Sequence, residues 1–239
     1  MRVSDNRLIV ALDFPDIDKV QRLVAELGDA VGHYKVGMEL FYAVGGEAVR
    51  FLRAAGKEVF LDLKLHDIPN TVSQSAKVLS WLGATMVNFH ASGGLAMMKG
   101  AATAAVEAAA TSGRPRPKLI AVTVLTSMDE AEWTRLNCAL PIGVQAVRLA
   151  EMAREAGLDG VVASPQEAAA IRAACGPDFL IVTPGVRPAG SAVNDQSRVA
   201  TPAGALRAGA SHLVVGRPIT AAPEPRAAAL AILREMEEA

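Results

Sequence analysis

Asp62 and Lys64 stand two residues apart in the run Val59-Phe-Leu-Asp-Leu-Lys-Leu-His-Asp67, alternating with Leu61, Leu63 and Leu65. Side chains two apart on a strand share a face. The leucines therefore cover one side, and a carboxylate and an ammonium stand together on the other. Asp67 follows where the strand should be ending. Charge is costly to bury unless it is paired. An edge strand with a solvated ion pair would account for the pattern without any function, whereas an interior strand would need a reason for its charges. Nearby carboxylates favour the protonated amine. The chemistry on offer is thus electrostatic work by an ammonium rather than attack by a neutral lysine.

Other residues of the same kind recur along the chain. Lys35, in Tyr34-Lys35-Val36-Gly37, is hard to explain as a solvated residue. Asp13 either caps the helix that follows it or faces a ligand. Thr126 and Ser127 either bond locally or contact a substrate. His90 reads as a satisfied core histidine, and His33, His66 and His212 lack metal-ligand spacing. Two loops, Thr183-Pro184-Gly185-Val186-Arg187-Pro188 and Val215-Gly216-Arg217-Pro218, pair glycine with arginine. Glycine lets backbone N–H groups approach an anion, helix N-termini add favourable dipoles, and arginine supplies a forked donor. That combination predicts a phosphate site. Ala189 to Gln196, a polar loop with Gly and Ser, is long enough to act as a lid, with Gln196 reaching over the ligand.

These residues need a scaffold, and the apolar pattern supplies one. Strands are expected over Leu8–Asp13, Tyr34–Gly37, Glu58–Lys64, Met86–His90, Leu119–Leu125, Gly160–Ala163, Leu180–Thr183 and His212–Val215. Helices are expected over Ile17–Leu27, Gly46–Ala55, Thr71–Leu82, Leu95–Thr111, Gly143–Ala156, Gln166–Ala174, Pro202–Ala208 and Arg226–Glu237. Strict alternation calls for parallel strands with right-handed crossovers. No Gly-x-Gly-x-x-Gly follows the first strand, which favours a closed (β/α)8 TIM barrel of the α/β class over a doubly wound sheet. The candidate residues then fall at the C-terminal strand ends, with the two Gly–Arg loops after strands seven and eight, where barrels bind phosphate.

Composition narrows the classes. The 239 residues are 51% hydrophobic and 21% charged, normal for a globular chain, and no linker or composition break marks a second domain. A net charge of -1 and 4% aromatics argue against a nucleic-acid partner. No stretch is apolar enough for a membrane helix, and no signal peptide is expected. Cys138 and Cys175 read as reduced thiols of a cytoplasmic protein.

Over essentially its whole length the chain resembles the orotidine 5′-monophosphate decarboxylases. The most specific piece is Asp62-x-Lys64-x-x-Asp67-Ile68-Pro69-Asn70-Thr71; Asp13, Lys35, Thr126-Ser127, Thr183 to Pro188, Asp195-Gln196 and Gly216-Arg217-Pro218-Ile219 match in order around it. A broader superfamily of barrels, including metal-dependent sugar-phosphate aldol enzymes, shares only the Asp-x-Lys-x-x-Asp core. The resemblance implies loss of CO2 from C6 of orotidine 5′-monophosphate to give UMP, without metal or organic cofactor. It implies that Lys64 stabilises and protonates the C6 carbanion within an array of Lys35, Asp62, Lys64 and Asp67. Asp13 and Lys35 would bind ribose hydroxyls. Ser127 and Gln196 would contact the pyrimidine and phosphate, with Thr126 beside Ser127. Pro184, Arg187, Gly216 and Arg217 would form the phosphate end. Asp67 and Thr71 would reach the neighbouring subunit's site, implying a homodimer with shared sites. Three rivals remain at this stage. They are a metal-dependent aldolase or decarboxylase on the same barrel, a Schiff-base aldolase using Lys64, and a nucleotide-binding barrel without catalysis.

Overall fold

The computed structural model describes residues 5–188 and 200–239. Its strands are β1 (Leu8–Ala11), β2 (His33–Gly37), β3 (Glu58–Leu65), β4 (Met86–His90), β5 (Lys118–Val122), β6 (Gly160–Val162), β7 (Leu180–Thr183) and β8 (His212–Val215). Each pairs in parallel with the next, and β8 returns to β1, which closes the barrel. This is the (β/α)8 architecture that the alternation predicts. Strands β1 and β5 stop at Ala11 and Val122, two and three residues before the apolar pattern ends, because the chain there leaves the ladder and turns over the barrel mouth.

The apolar runs reflect burial on both faces of each strand. On β1, Ile9 and Ala11 point into the barrel and Leu8 and Val10 point toward the helices. The interior is filled by Ile9, Ala11, Phe60, Met86, Ile120, Val182 and Val214, so the barrel is plugged rather than hollow. Gly160 on β6 faces Leu180 on β7, and a Cβ at Gly160 would lie 2.3 Å from the Leu180 carbonyl oxygen. Only glycine permits that approach.

The eight expected helices are present, one with the expected bounds and the others with ends shifted by at most two residues. Three short helices were not expected: Met38–Val44, Glu130–Arg135 and Arg217–Thr220, which follow β2, β5 and β8. At four to seven residues they are too brief to show a periodic stripe. Asp16, not Asp13, caps the first helix, accepting from the N–H groups of Asp18 and Lys19. Asp13 is thereby released for another role.

At the N-terminal end of the barrel, His33 is buried, with Nδ1 3.4 Å from the Asn6 carbonyl oxygen and its ring edge-on to His212. Burial, and then the neighbouring His212, push its pKa down to about 4. The unfolded chain, with the ordinary value near 6.5, therefore takes up a proton first. His33 contributes its full stability above that pH and loses it as pH falls toward 4, a swing of about 3 kcal/mol. Thermal unfolding across that window should show a falling Tm whose slope is flattened by His33→Leu. An unchanged slope would contradict this.

Candidate active site

Strand β3 places Phe60, Asp62 and Lys64 toward the barrel axis at successive heights. Phe60 belongs to the apolar plug; Asp62 and Lys64 stand above it at the mouth. Lys64 Nζ donates to Asp62 Oδ1 at 2.7 Å. From β2, Lys35 Nζ lies 3.2 Å from Asp62 Oδ2 and donates to Asp13 Oδ1 at 2.8 Å. The result is a row of alternating charges, Asp13–Lys35–Asp62–Lys64, anchored on three adjacent strands. The Lys35 and Asp62 side chains are only 10% and 13% exposed, so the row is largely withdrawn from water at its centre.

Burial alone would neutralise both central groups. It pushes the Lys35 pKa down, but the carboxylates of Asp62 and Asp13 outweigh it and the net shift is upward. It pushes the Asp62 pKa up, but the ammonium groups of Lys35 and Lys64 outweigh it and the net shift is downward. Each charge is held by its neighbours.

Two residues that hold this geometry escaped the sequence reading. Asn88 on β4 is fully buried; its Nδ2 donates to Asp62 Oδ1 at 2.7 Å, and its Oδ1 accepts the Lys64 backbone N–H at 2.8 Å. A polar residue at an inward position of Met86-Val87-Asn88-Phe89 was the available signal. Gly37 ends β2, and a Cβ there would lie 2.8 Å from Lys35 Nζ and 3.1 Å from Asp13 Oδ1. The missing side chain makes room for that ion pair.

The row forms one side of a cavity of about 520 Å3, suited in size to a nucleotide-sized ligand. Thr126 and Ser127, beyond β5, and Pro184, Gly185, Arg187, Gly216 and Arg217, beyond β7 and β8, complete the wall. The floor includes Ala11, Phe60, Val162 and Val214. Arg187 is nearly buried, and among the described residues its Nε has no hydrogen-bond partner. Burial, and then the charge of Arg217, lower its pKa. Two guanidinium groups brought together against their mutual repulsion mark a place for an anion. The helix at Arg217–Thr220 is a single turn. Its dipole adds little, so affinity for an anion here would rest on the arginines and the glycine backbone.

The structure brings Asp13, Lys35, Asp62, Lys64, Thr126, Ser127, Pro184, Arg187, Gly216 and Arg217 around one cavity. It does not bring Asp67 or Thr71 there. Both are exposed, and Asp67 Oδ1 accepts the Ile68 N–H at 2.7 Å. Within this chain the fourth charge of the row is Asp13. Gln196 and the expected lid from Ala189 lie outside the described residues. His90 is half-buried beside His66, ring centroids 5.4 Å apart. Among the described residues no three His, Cys, Asp or Glu gather as metal ligands. A wider cleft of about 810 Å3 opens at the N-terminal end of the barrel, where Arg116 and Lys118 turn toward Asp159 at 2.7 and 3.5 Å. Its lining gathers the cations Arg50, Arg53, Arg114, Arg116 and Lys118 with Glu58, not an alternating row.

Comparison with known proteins agrees with this geometry. The model of the orotidine 5'-phosphate decarboxylase / HUMPS family matches residues 6–232. The orotidine 5'-phosphate decarboxylase of Moorella thermoacetica is 57% identical over 235 residues, covering 98% of this chain and 93% of that protein. That of Geobacter sulfurreducens is 51% identical, covering 96% and 95%. The crystal structure of orotidine 5'-phosphate decarboxylase from Lactobacillus acidophilus superposes with a TM-score of 0.86 at 44% identity, covering 97% of this chain and 99% of that one. The barrel, the charges at its mouth and a kinship running almost end to end place the chain in the orotidine 5'-phosphate decarboxylase / HUMPS family.

Proposed function

We propose that the chain decarboxylates orotidine 5′-monophosphate to UMP, the closing step of pyrimidine nucleotide synthesis, in one barrel domain and without metal or organic cofactor. The observation that carries the reading is the Lys64 ammonium, hydrogen-bonded to a buried carboxylate at the mouth of the cavity. When the C6–carboxylate bond breaks, CO2 leaves and the electron pair remains on C6, with no adjacent carbonyl arranged to delocalise it. Lys64 stabilises that carbanion and then passes it a proton from Nζ, and solvent reprotonates the amine. Asp62 accepts the Lys64 Nζ hydrogen bond and stands close to the departing carboxylate. Because the row is built before substrate arrives, little reorganisation is needed as charge moves.

Asp13 and Lys35 bind the ribose hydroxyls, Thr126 and Ser127 face the base and phosphate, and Pro184, Arg187, Gly216 and Arg217 hold the phosphate; a Gln196 contact to the base and phosphate, implied by the resemblance, belongs to the same reading. Phosphate lies far from C6, so its binding energy serves to position the base. Asp67 and Thr71 complete the site of a second copy, which makes a homodimer with shared sites. This is supported by their exposure outside their own cavity, beside an Ile68 that is 66% exposed. A cytoplasmic setting without nucleic-acid or membrane partners belongs to the same reading. It is supported by a net charge of -1, two free cysteines and, among the described residues, no helix long and apolar enough to cross a membrane.

Three measurements test this. The ultraviolet absorbance of orotidine 5′-monophosphate should fall in the presence of wild-type protein with EDTA added, and Lys64→Ala should abolish that change. EDTA-sensitive loss of absorbance would favour the metal-dependent rival. Gly37→Ala pushes a Cβ against Lys35 Nζ, which can swing away. Turnover should drop about 10- to 100-fold, with stability falling by about 1–3 kcal/mol as the Lys35–Asp13 bond is disturbed. Wild-type turnover would show that the Lys35–Asp13 contact is dispensable. Arg217→Ala should weaken binding and turnover of the phosphorylated substrate and leave the bare nucleoside unaffected. Equal losses on both would remove Arg217 from the phosphate end.

A further inference from the structure

Asn88 sits midway along β4, fully buried among Met86, Val87 and Phe89. An amide in such a place is costly unless its polar atoms are used. Both ends of this one are spent on β3. Its N–H donates to Asp62 Oδ1, the same oxygen that receives Lys64 Nζ. Its carbonyl oxygen accepts the Lys64 backbone N–H where the β3–β4 register shifts between Leu61 and Leu65. Lys64 has a φ of 53°, a left-handed conformation that a lysine holds only with support. The side-chain amide substitutes for the ladder bond that the irregularity removes, and it meets a strain of about 1–3 kcal/mol.

We infer that Asn88 is a positioning residue for the decarboxylation, fixing the Asp62 carboxylate and the Lys64 backbone together so that the Lys64 ammonium is aimed at the reacting carbon. It does not line the cavity and acts only through these two neighbours. The inference rests on the decarboxylase reading above. The charged and titratable groups around it are Asp62 and Lys64 on β3, Lys35 beyond Asp62 on β2, and His90 further along β4, beside His66. Its register partner on β5, Ile120, is apolar.

The test compares the whole protein with Asn88→Asp and Asn88→Ala, measuring kcat and KM on orotidine 5′-monophosphate from about pH 5 to pH 9. Asn88→Asp keeps the shape and the acceptor for the Lys64 N–H, but sets a carboxyl against Asp62. Two touching carboxyls hold a shared proton to higher pH than either would alone. With the proton on, the introduced group donates to Asp62 as the amide did; with it off, the two repel. Its kcat should therefore fall about 10- to 100-fold at pH 8 and recover toward acid pH, with KM within about five-fold of wild type. Asn88→Ala, lacking donor and acceptor, should lose kcat at every pH without acid recovery. If that variant does not fold, the isosteric one decides the matter, assayed first in acid where its new carboxyl is neutral. A role confined to stability would lower Tm and leave the pH profile of Asn88→Asp where wild type has it. That result, or a kcat within two-fold of wild type throughout, would overturn the inference. A wild-type protein that leaves the substrate untouched would instead sink the decarboxylase reading, and this role with it.

Discussion

The Asp62 carboxylate is the point on which the site depends. It is almost out of water, and it receives Lys64 Nζ and Asn88 Nδ2 on one oxygen and faces Lys35 Nζ from the other. A buried carboxylate with no partners would take up a proton and cease to be a charge. With three donors it stays ionised, and its charge, with that of Asp13, holds Lys35 as an ammonium group. Removing any one member would expose the others to the full cost of burial, because the groups act as a unit. The same interdependence makes the row useful in catalysis, since charges fixed in advance need not reorganise when the substrate's own charge moves.

The fold serves that carboxylate in two ways. An apolar plug fills the barrel up to Phe60, so the charges stand on a dry floor and water reaches them only from the mouth. Adjacent parallel strands then deliver side chains from β2, β3 and β4 to within hydrogen-bond reach of one another. The rim built from the segments after β7 and β8 adds two guanidinium groups to the wall of the same cavity, with Gly216 next to the Asp13 end of the row. On the proposed function, the arginine part of the cavity serves the phosphate and the lysine row serves the charge that appears during reaction. The strained φ of Lys64 falls at the one place where the β3–β4 ladder is irregular, which ties a backbone distortion to the residue whose aim matters most.

Much of this was legible in the sequence because it rests on period and type. Eight apolar runs separated by helical stripes gave the barrel, and two-residue spacing put Asp62 and Lys64 on one face. Glycine near arginine in the loops after β7 and β8 picked out residues that line the cavity. What escaped depends on three-dimensional closure. Asn88 reads as a lone polar residue in a buried strand until β3 is laid beside it. Gly37 reads as a strand terminator until Lys35 and Asp13 are seen to occupy the space of its absent side chain. Asp13 offers itself from sequence as cap or ligand, and the capping bonds of Asp16 exclude the first. Strict alternation along β3 would place Lys64 correctly by face but says nothing of its left-handed backbone. Asp67 lies past the end of β3, as its place in the run suggests, and its carboxylate accepts the Ile68 N–H.

The central claim is that Asp62 is permanently ionised, held so by Lys35, Lys64 and Asn88. Its most direct test is a carbon-13 carboxyl NMR titration of the protein, with the Asp62 signal assigned by its loss in Asp62→Asn. The account predicts that this carboxylate stays charged below the ordinary value of 3.8, down to the acid unfolding of the barrel. A resonance that titrates at or above 3.8 would contradict it.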